Sequence, residues 1–459
     1  MDFVNSVLSS SSVLSSRYCL AVRSRSNMER FFRLVALGLI ISTMGVSGFR
    51  RGAGVPGAKE GILARLSEAR ALLANEPVGM QKGIVGTRRV KVSRRRYQEV
   101  PVIGITGREI ALAVLDEQGK FHVVRGLKRD NQGFETLTPG YQLVLRRENG
   151  INSEFVCLSP QGGRILAIKY PVSNERGRFG GDSEVIEAVY TPYSQEIDSS
   201  EMIKRGIEVQ SGFINQAYER LKNRQVRSRA FEGRPITDAI PREVLRVLLI
   251  NEHIDPGEFR SADMAEGLAR RVLTVVAANG EKAYAYSISR AGARGLVQMI
   301  ASTYSLLLKR YPEAGLKADF IAGMSDPVNA IMAQVLLCDA DWGAMRSRYA
   351  IGPERVGPYL AAAYNGGVGR VLSLLSTEQE EWMANPDLSR RPAQTITRRI
   401  AVRGRSRRGR LQKRYVLKSY VVPIFRNETS KYVSQYHWIK SYLDAGAADG
   451  KRGSVAAER

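Results

Sequence analysis

The chain has 459 residues, 44% hydrophobic and 25% charged, which excludes a disordered polyelectrolyte and leaves room for two or three domains with ample core. A net charge of +24 favours polyanionic surroundings: nucleic acid, anionic lipid or an acidic wall polymer. Three cysteines exclude a disulfide framework, and the three histidines, His122, His253 and His437, are too far apart for metal-ligand spacing, so no structural or catalytic metal is expected.

The first 50 residues read as a leader. Between Leu34 and Phe49 run 16 residues without charge, preceded by Arg30 and Arg33 and closing on the small residues Val46-Ser47-Gly48. A spanning helix needs about 20 apolar residues, so the run reads as a secretory signal. The alternative is a short, tilted membrane anchor, which Arg50 and Arg51 directly after the run favour. The Ser-rich residues 1–27 read as a disordered tail, with Met28 as a candidate start.

Residues 51–97 read as a helical and basic linker. Apolar residues from Ile62 to Leu73 recur at helical spacing within 59–75, and 88–96 holds six Lys or Arg. Residues 98–195 read as a small all-β domain, a sandwich or a barrel, with strands over 102–106, 109–115, 121–124, 141–147, 154–158, 164–170 and 185–190. Asp116-Glu117-Gln118-Gly119 and Glu148-Asn149-Gly150 supply turns. No motif in this part carries chemistry, and its expected role is binding or positioning. From Ser199 the pattern turns helical and remains so to 443, with Pro241 suited to a first helical turn. Residues 444–459 read as a disordered tail. The fold class is therefore α+β and multidomain: a small all-β domain, then a mainly α-helical one.

Chemistry concentrates in the helical part. Glu252 ends an apolar run, Val247-Leu248-Leu249-Ile250, where an apolar pocket and the carbonyl end of a helix both disfavour ionisation. Downstream come Ser289, Gly292, Ala293, Gly295, Leu296 and Gln298, spaced as S-x-x-G-A-x-G-L-x-Q. Then follow Ala363-Tyr364-Asn365-Gly366-Gly367-Val368-Gly369, Asp326-Pro327 with Asn329, and Glu428-Thr429 with Tyr432-Val433. Asp326 suits a helix cap with Pro327 in the first turn.

This ordered set resembles the soluble lytic transglycosylase family, whose members cut bacterial peptidoglycan on a lysozyme-like helical fold. The resemblance covers 241–443, less than half of the chain. It implies that Glu252 is the catalytic acid, that Ser289, Gln298, Tyr364 and Asn365 bind substrate, and that Glu428 supports the site. It further implies cleavage of the β-1,4 bond between N-acetylmuramic acid and N-acetylglucosamine. Glu252 acts first as acid, then as base toward the muramic C6 hydroxyl, leaving 1,6-anhydro ends without water or cofactor. The partner is the glycan strand, and the expected location is the periplasm or cell envelope.

Three departures stand beside the resemblance. His253 takes the place of the usual Ser, Gly366 that of Ala, and 37 residues separate Glu252 from Ser289. One insert, 259–285, carries a helix over 261–279, and Glu258 or Glu281 are rival acids. A second insert, 385–420, holds 12 Lys or Arg and no acid between Arg390 and Lys418. It reads as a basic β-hairpin that could grip an anionic polymer or a membrane surface. A goose-type lysozyme-like hydrolase and a non-catalytic polymer-binding module remain as alternatives.

Overall fold

The computed structural model describes residues 61–457 apart from 95, 130–132, 174–184, 256, 260–261 and 406–410. The leader read around 34–49 lies outside the described residues. Among the described residues no helix is long and apolar enough to cross a membrane.

The fold is mixed α+β, with a sheet region followed by a helical region. The first helix among the described residues, α1 (Ile62–Leu73), presses Leu66, Ala69 and Leu73 onto the sheet. The strands are β1 (Gly79–Lys91), β2 (Tyr97–Leu115), β3 (Phe121–Arg129), β4 (Gly133–Thr136), β5 (Gln142–Arg147), β6 (Glu154–Ser159), β7 (Arg164–Ser173) and β8 (Val185–Tyr190). The main sheet is antiparallel in the order β4-β3-β2-β7-β8, with β1 paired to the first half of β2. β5 and β6 form a separate antiparallel pair. The end of β2 is buried on both faces. Ile110, Leu112 and Val114 join the main core, while Ala111, Ala113 and Leu115 face the α1 side, as a two-residue side-chain period requires.

Two readings of this part need correction. The basic stretch 88–96 is no linker. Most of it belongs to the β1–β2 ribbon, where Arg88 pairs with Val100 and Lys91 with Tyr97. Three glycines and the lack of strict alternation conceal β1 in the sequence. The segments 102–106 and 109–115 are one strand, because Gly107 and Arg108 pair with β1 on one side and β3 on the other.

The helical region comprises α2 (Ser200–Asn223), the short α3 (Ile236–Ala239), α4 (Arg242–Asn251), α5 (Ala262–Asn279), α6 (Ala301–Arg310), α7 (Phe320–Ser325), α8 (Pro327–Arg346), α9 (Val356–Gly366) and α10 (Val368–Leu375). A ribbon follows, β9 (Ala393–Arg405) with β10 (Leu411–Pro423), and then α11 (Asn427–Ala457). Helix α8 runs through the centre and is buried on nearly all sides, as expected of a helix apolar all round. Asp326 caps it, its side chain accepting from the Val328 and Asn329 amides, with Pro327 in the first turn. Residues 444–457 are helical and not a disordered tail; α11 continues through five alanines despite three glycines.

The two regions share one apolar core. Sheet residues such as Leu112, Ile168 and Tyr190 belong to the same cluster as Leu273, Leu296 and Val335. From Glu60 onward the chain is one compact unit.

Candidate active site

Glu252 is the C-cap of α4, whose residues Val247 to Asn251 are all buried. Its amide still donates to the Leu248 carbonyl at 3.0 Å, so the side chain leaves from the carbonyl end of the helix. The neighbouring Asn251 is buried and donates from Nδ2 to the Tyr432 carbonyl at 3.0 Å, which joins α4 to α11. Tyr432 in turn donates its hydroxyl to Glu252 Oε1 at 2.5 Å. The residue as a whole is half-buried, but its carboxyl sits among enough apolar atoms to be pushed up to about 8. Burial is the main cause, the Tyr432 hydrogen bond opposes it, and the charge of Glu428 adds to it. A carboxyl so placed keeps its proton at neutral pH, which is what donation to a leaving oxygen needs.

Further segments are linked to it through its neighbours. Tyr364, near the end of α9, donates its hydroxyl to the Val297 carbonyl at 2.5 Å, and its phenol is pushed well above the usual range by burial and then by the charge of Glu252. Asn365 accepts from Thr429 at 2.8 Å, tying α9 to α11. A Cβ on Gly366 would lie 2.8 Å from Thr429 Cγ2, so the departure from Ala fits the close approach of these helices. The loop from Ser287 to Met299 folds on itself, with Arg294 bridged to Ile288 and Met299. Gly295 has φ of +71°, and a Cβ there would meet the Met324 carbonyl oxygen at 2.2 Å, so only glycine fits.

His253 faces the same loop. Its Nε2 pairs with the Leu296 carbonyl at 2.8 Å, and its ring stacks on Tyr284 at 3.6 Å. Burial lowers its pKa to about 4, so it is a neutral imidazole that donates from Nε2. It fastens the residue after Glu252 to the glycine loop and does not itself move a proton near neutral pH.

Tyr364 and Glu252 are therefore brought together, and Glu428 is exposed but near enough for its charge to be felt. Ser289 and Gln298 engage the loop instead. Ser289 Oγ accepts from the Ala293 amide at 3.0 Å, and Gln298 Nε2 donates to the Gly295 carbonyl at 2.8 Å. A cavity lined by Val172, Ile186, Tyr286, Ile288, Arg294 and Met324 opens beside this loop, and Glu252 does not line it.

The rival acids separate on geometry. Glu258 is held by Arg147 at 2.5 Å and Arg271 at 2.7 Å. Burial pushes its carboxyl up, but the hydrogen bonds and charges of the two arginines outweigh this and the net shift is downward, so Glu258 stays ionised. Glu281 is exposed. A fourth carboxyl, Asp341 on α8, is pushed up to about 7 by burial against the charge of Arg310.

Sequence reasoning missed the role of Tyr432. The signal was available: Tyr432 follows Glu428 by one helical turn, so both share a face of α11. It also missed Gln334, a fully buried α8 residue whose amide faces the Tyr364 hydroxyl. Among the described residues no group of His, Cys, Asp and Glu is arranged to hold a metal ion. Comparisons of the chain with protein families, with curated proteins and with solved structures return no match.

Proposed function

We propose that the protein is an exported peptidoglycan lytic transglycosylase with a lysozyme-like helical region and Glu252 as its acid and base. The observation that carries this reading is one carboxyl, at a helix end, kept protonated near neutral pH and held by a tyrosine from a distant helix. The order of Glu252, the glycine loop, Tyr364-Asn365 and Tyr432 along the chain agrees with it, and Tyr432 donates to that carboxyl while Tyr364 feels its charge.

In this mechanism Glu252 gives its proton to the glycosidic oxygen between N-acetylmuramic acid and N-acetylglucosamine as the bond to C1 breaks. The substrate's own acetamido group steadies the developing positive charge. The carboxylate then takes the proton from the C6 hydroxyl, whose oxygen attacks C1 and closes the anhydro ring. Tyr432 serves both halves. Its hydroxyl steadies the carboxylate that the first step creates, and so limits how far burial raises the pKa. Glu258 is unsuited to serve as the second carboxylate of a two-carboxylate mechanism, since two arginines neutralise it.

The test is mass spectrometry of purified sacculi digested by wild type and by Glu252→Gln. Anhydro ends from wild type and none from the variant are expected. Reducing ends would move the protein to the goose-type hydrolases. Equal digestion by both proteins would remove Glu252 from the mechanism, and no digestion by either would favour a binding module.

A further inference from the structure

The β9–β10 ribbon takes no part in the chemistry above, yet it is among the most exposed elements of the fold. Leu417 and Val421 are 75% and 76% exposed, and Tyr415 is 55% exposed. We propose that this ribbon docks the protein on an anionic lipid bilayer, seating its aliphatic side chains at the headgroup–acyl boundary. The proposal does not depend on the reading of Glu252.

The register places apolar and basic side chains together on both faces. Tyr415 lies opposite Ala401, Leu417 opposite Arg399 and Val421 opposite Thr395, all on one face. Val416 opposite Ile400, Lys418 opposite Arg398 and Tyr420 opposite Ile396 make the other. Arg399 stands over the Tyr415 ring at 4.2 Å and Lys418 over Tyr420 at 5.5 Å. Long cationic side chains flanking aromatic rings suit an interface where one end is apolar and the other wet. No acidic residue occurs between Arg390 and Lys418 to repel a negative surface.

The aliphatic residues choose the partner. An anionic polymer would be gripped by Arg398, Arg399 and Lys418 through charge, and would leave Leu417 and Val421 in water. A bilayer interface takes the charges at the headgroups and removes the aliphatic side chains from water as well. The base of the ribbon is firm. The Ile424 amide donates to the Pro392 carbonyl at 2.8 Å, and Arg370 donates to the Ile424 carbonyl at 2.6 Å. Helix α11, with Tyr432, begins three residues beyond Ile424. A docked ribbon would therefore hold the candidate site at the lipid surface.

The apolar run at 34–49 could itself bind lipid, so the readout must be local. Leu417→Trp in the full chain adds one exposed indole to three native tryptophans. With vesicles of phosphatidylglycerol and brominated phosphatidylcholine, the added emission should shift to the blue and be quenched. With neutral phosphatidylcholine vesicles it should stay near its value in buffer. Replacing Arg398, Arg399 and Lys418 together by Gln in that background should weaken the quenching on the order of 10²-fold in lipid concentration, at about fivefold per charge. The thermal melt should be unchanged, since all three side chains are exposed. An indole that stays unquenched by anionic vesicles would overturn the proposal. So would one that responds equally to polyphosphate, which would assign the ribbon to an anionic polymer.

Discussion

Glu252 and Glu258 are six residues apart and lead opposite electrostatic lives. Glu258 lies in a four-membered cluster in which Arg147 and Arg271 each meet both Glu154 and Glu258, with N–O distances from 2.5 to 3.7 Å. Glu252 instead has a tyrosine hydroxyl and a second carboxylate as its polar company. Both positions bury a carboxyl partly. In one the arginines win over desolvation and the charge is kept; in the other desolvation wins and the proton is kept. The cluster joins β5 and β6 to α5, so the ionised glutamate serves to hold sheet to helix. The neutral one is free for proton transfer.

The sharpest way to break this comparison is to remove the proton donor. Glu252→Gln should lower the rate of glycan release on the order of 10³-fold, the usual range for a general acid, with the melting temperature unchanged or raised. Asp341→Asn, which removes another carboxyl pushed up by burial, should keep most of the activity. The paired measurement is product release from sacculi beside a thermal melt. If Asp341→Asn proved the inactive variant and Glu252→Gln the active one, the assignment of the acid would be reversed.

Next in size is the cluster. Arg271→Met removes one cation and leaves Glu154, 5% exposed, facing only the longer 3.7 Å contact with Arg147. A buried pair broken from one side costs several kcal/mol, and partial exposure of the cluster reduces this to about 2 kcal/mol. Urea denaturation should show the loss. Activity below the melting transition should change little, because the ion pairs of these four groups close on one another and not on Glu252. A variant that kept full stability but lost activity would place the cluster in the catalytic machinery.

Tyr432→Phe probes the glutamate more gently. The lost hydroxyl steadies the ionised form, so the carboxyl should rise further and the alkaline limb of the rate profile should move to higher pH. The maximal rate should fall about tenfold, since one charge-assisted hydrogen bond is worth roughly 1.5–3 kcal/mol and part of it is already present before reaction. A rate profile that kept its shape would mean that the phenol does not act on Glu252.

Much of this site is legible in the sequence, and the limits are physical. The apolar run before Glu252, the spacing of Gly292 and Gly295, and the Asp326-Pro327 cap each announce a local structure that the chain adopts on its own. Strands such as β8 stand out because the run Val185-Ile186-Glu187-Ala188-Val189-Tyr190 is rich in β-branched and aromatic residues. What stays hidden depends on partners far along the chain. The Tyr432 hydrogen bond spans 180 residues, and the loop-bound states of Ser289 and Gln298 arise from a turn conformation that spacing alone does not specify. The arginines that disqualify Glu258 come from β5 and α5, one of them 111 residues away. Strand β1 is hidden for another reason: its ladder with β2 does not need an alternating pattern, because most of its side chains stay in water.

The prediction that addresses the comparison most directly is the pH dependence of stability. Folding lifts the Glu252 carboxyl from 4.5 to about 8, so between those values the folded chain holds a proton that the unfolded chain has released. Its contribution is therefore full below 4.5 and is lost as the pH rises toward about 8. Glu258 is lowered from 4.5, so its contribution is present above that value and is lost as the pH falls through the folded-state value. The two glutamates thus tilt the stability curve in opposite senses over adjacent windows. Glu252→Gln should flatten the decline between about pH 5 and about pH 8 and leave the acid side unchanged. Glu258→Gln should flatten the acid limb and leave the decline in place. Urea midpoints collected across both windows test this, and parallel curves for wild type and Glu252→Gln would mean that the carboxyl is already ionised in the folded protein, leaving the site without its proton donor.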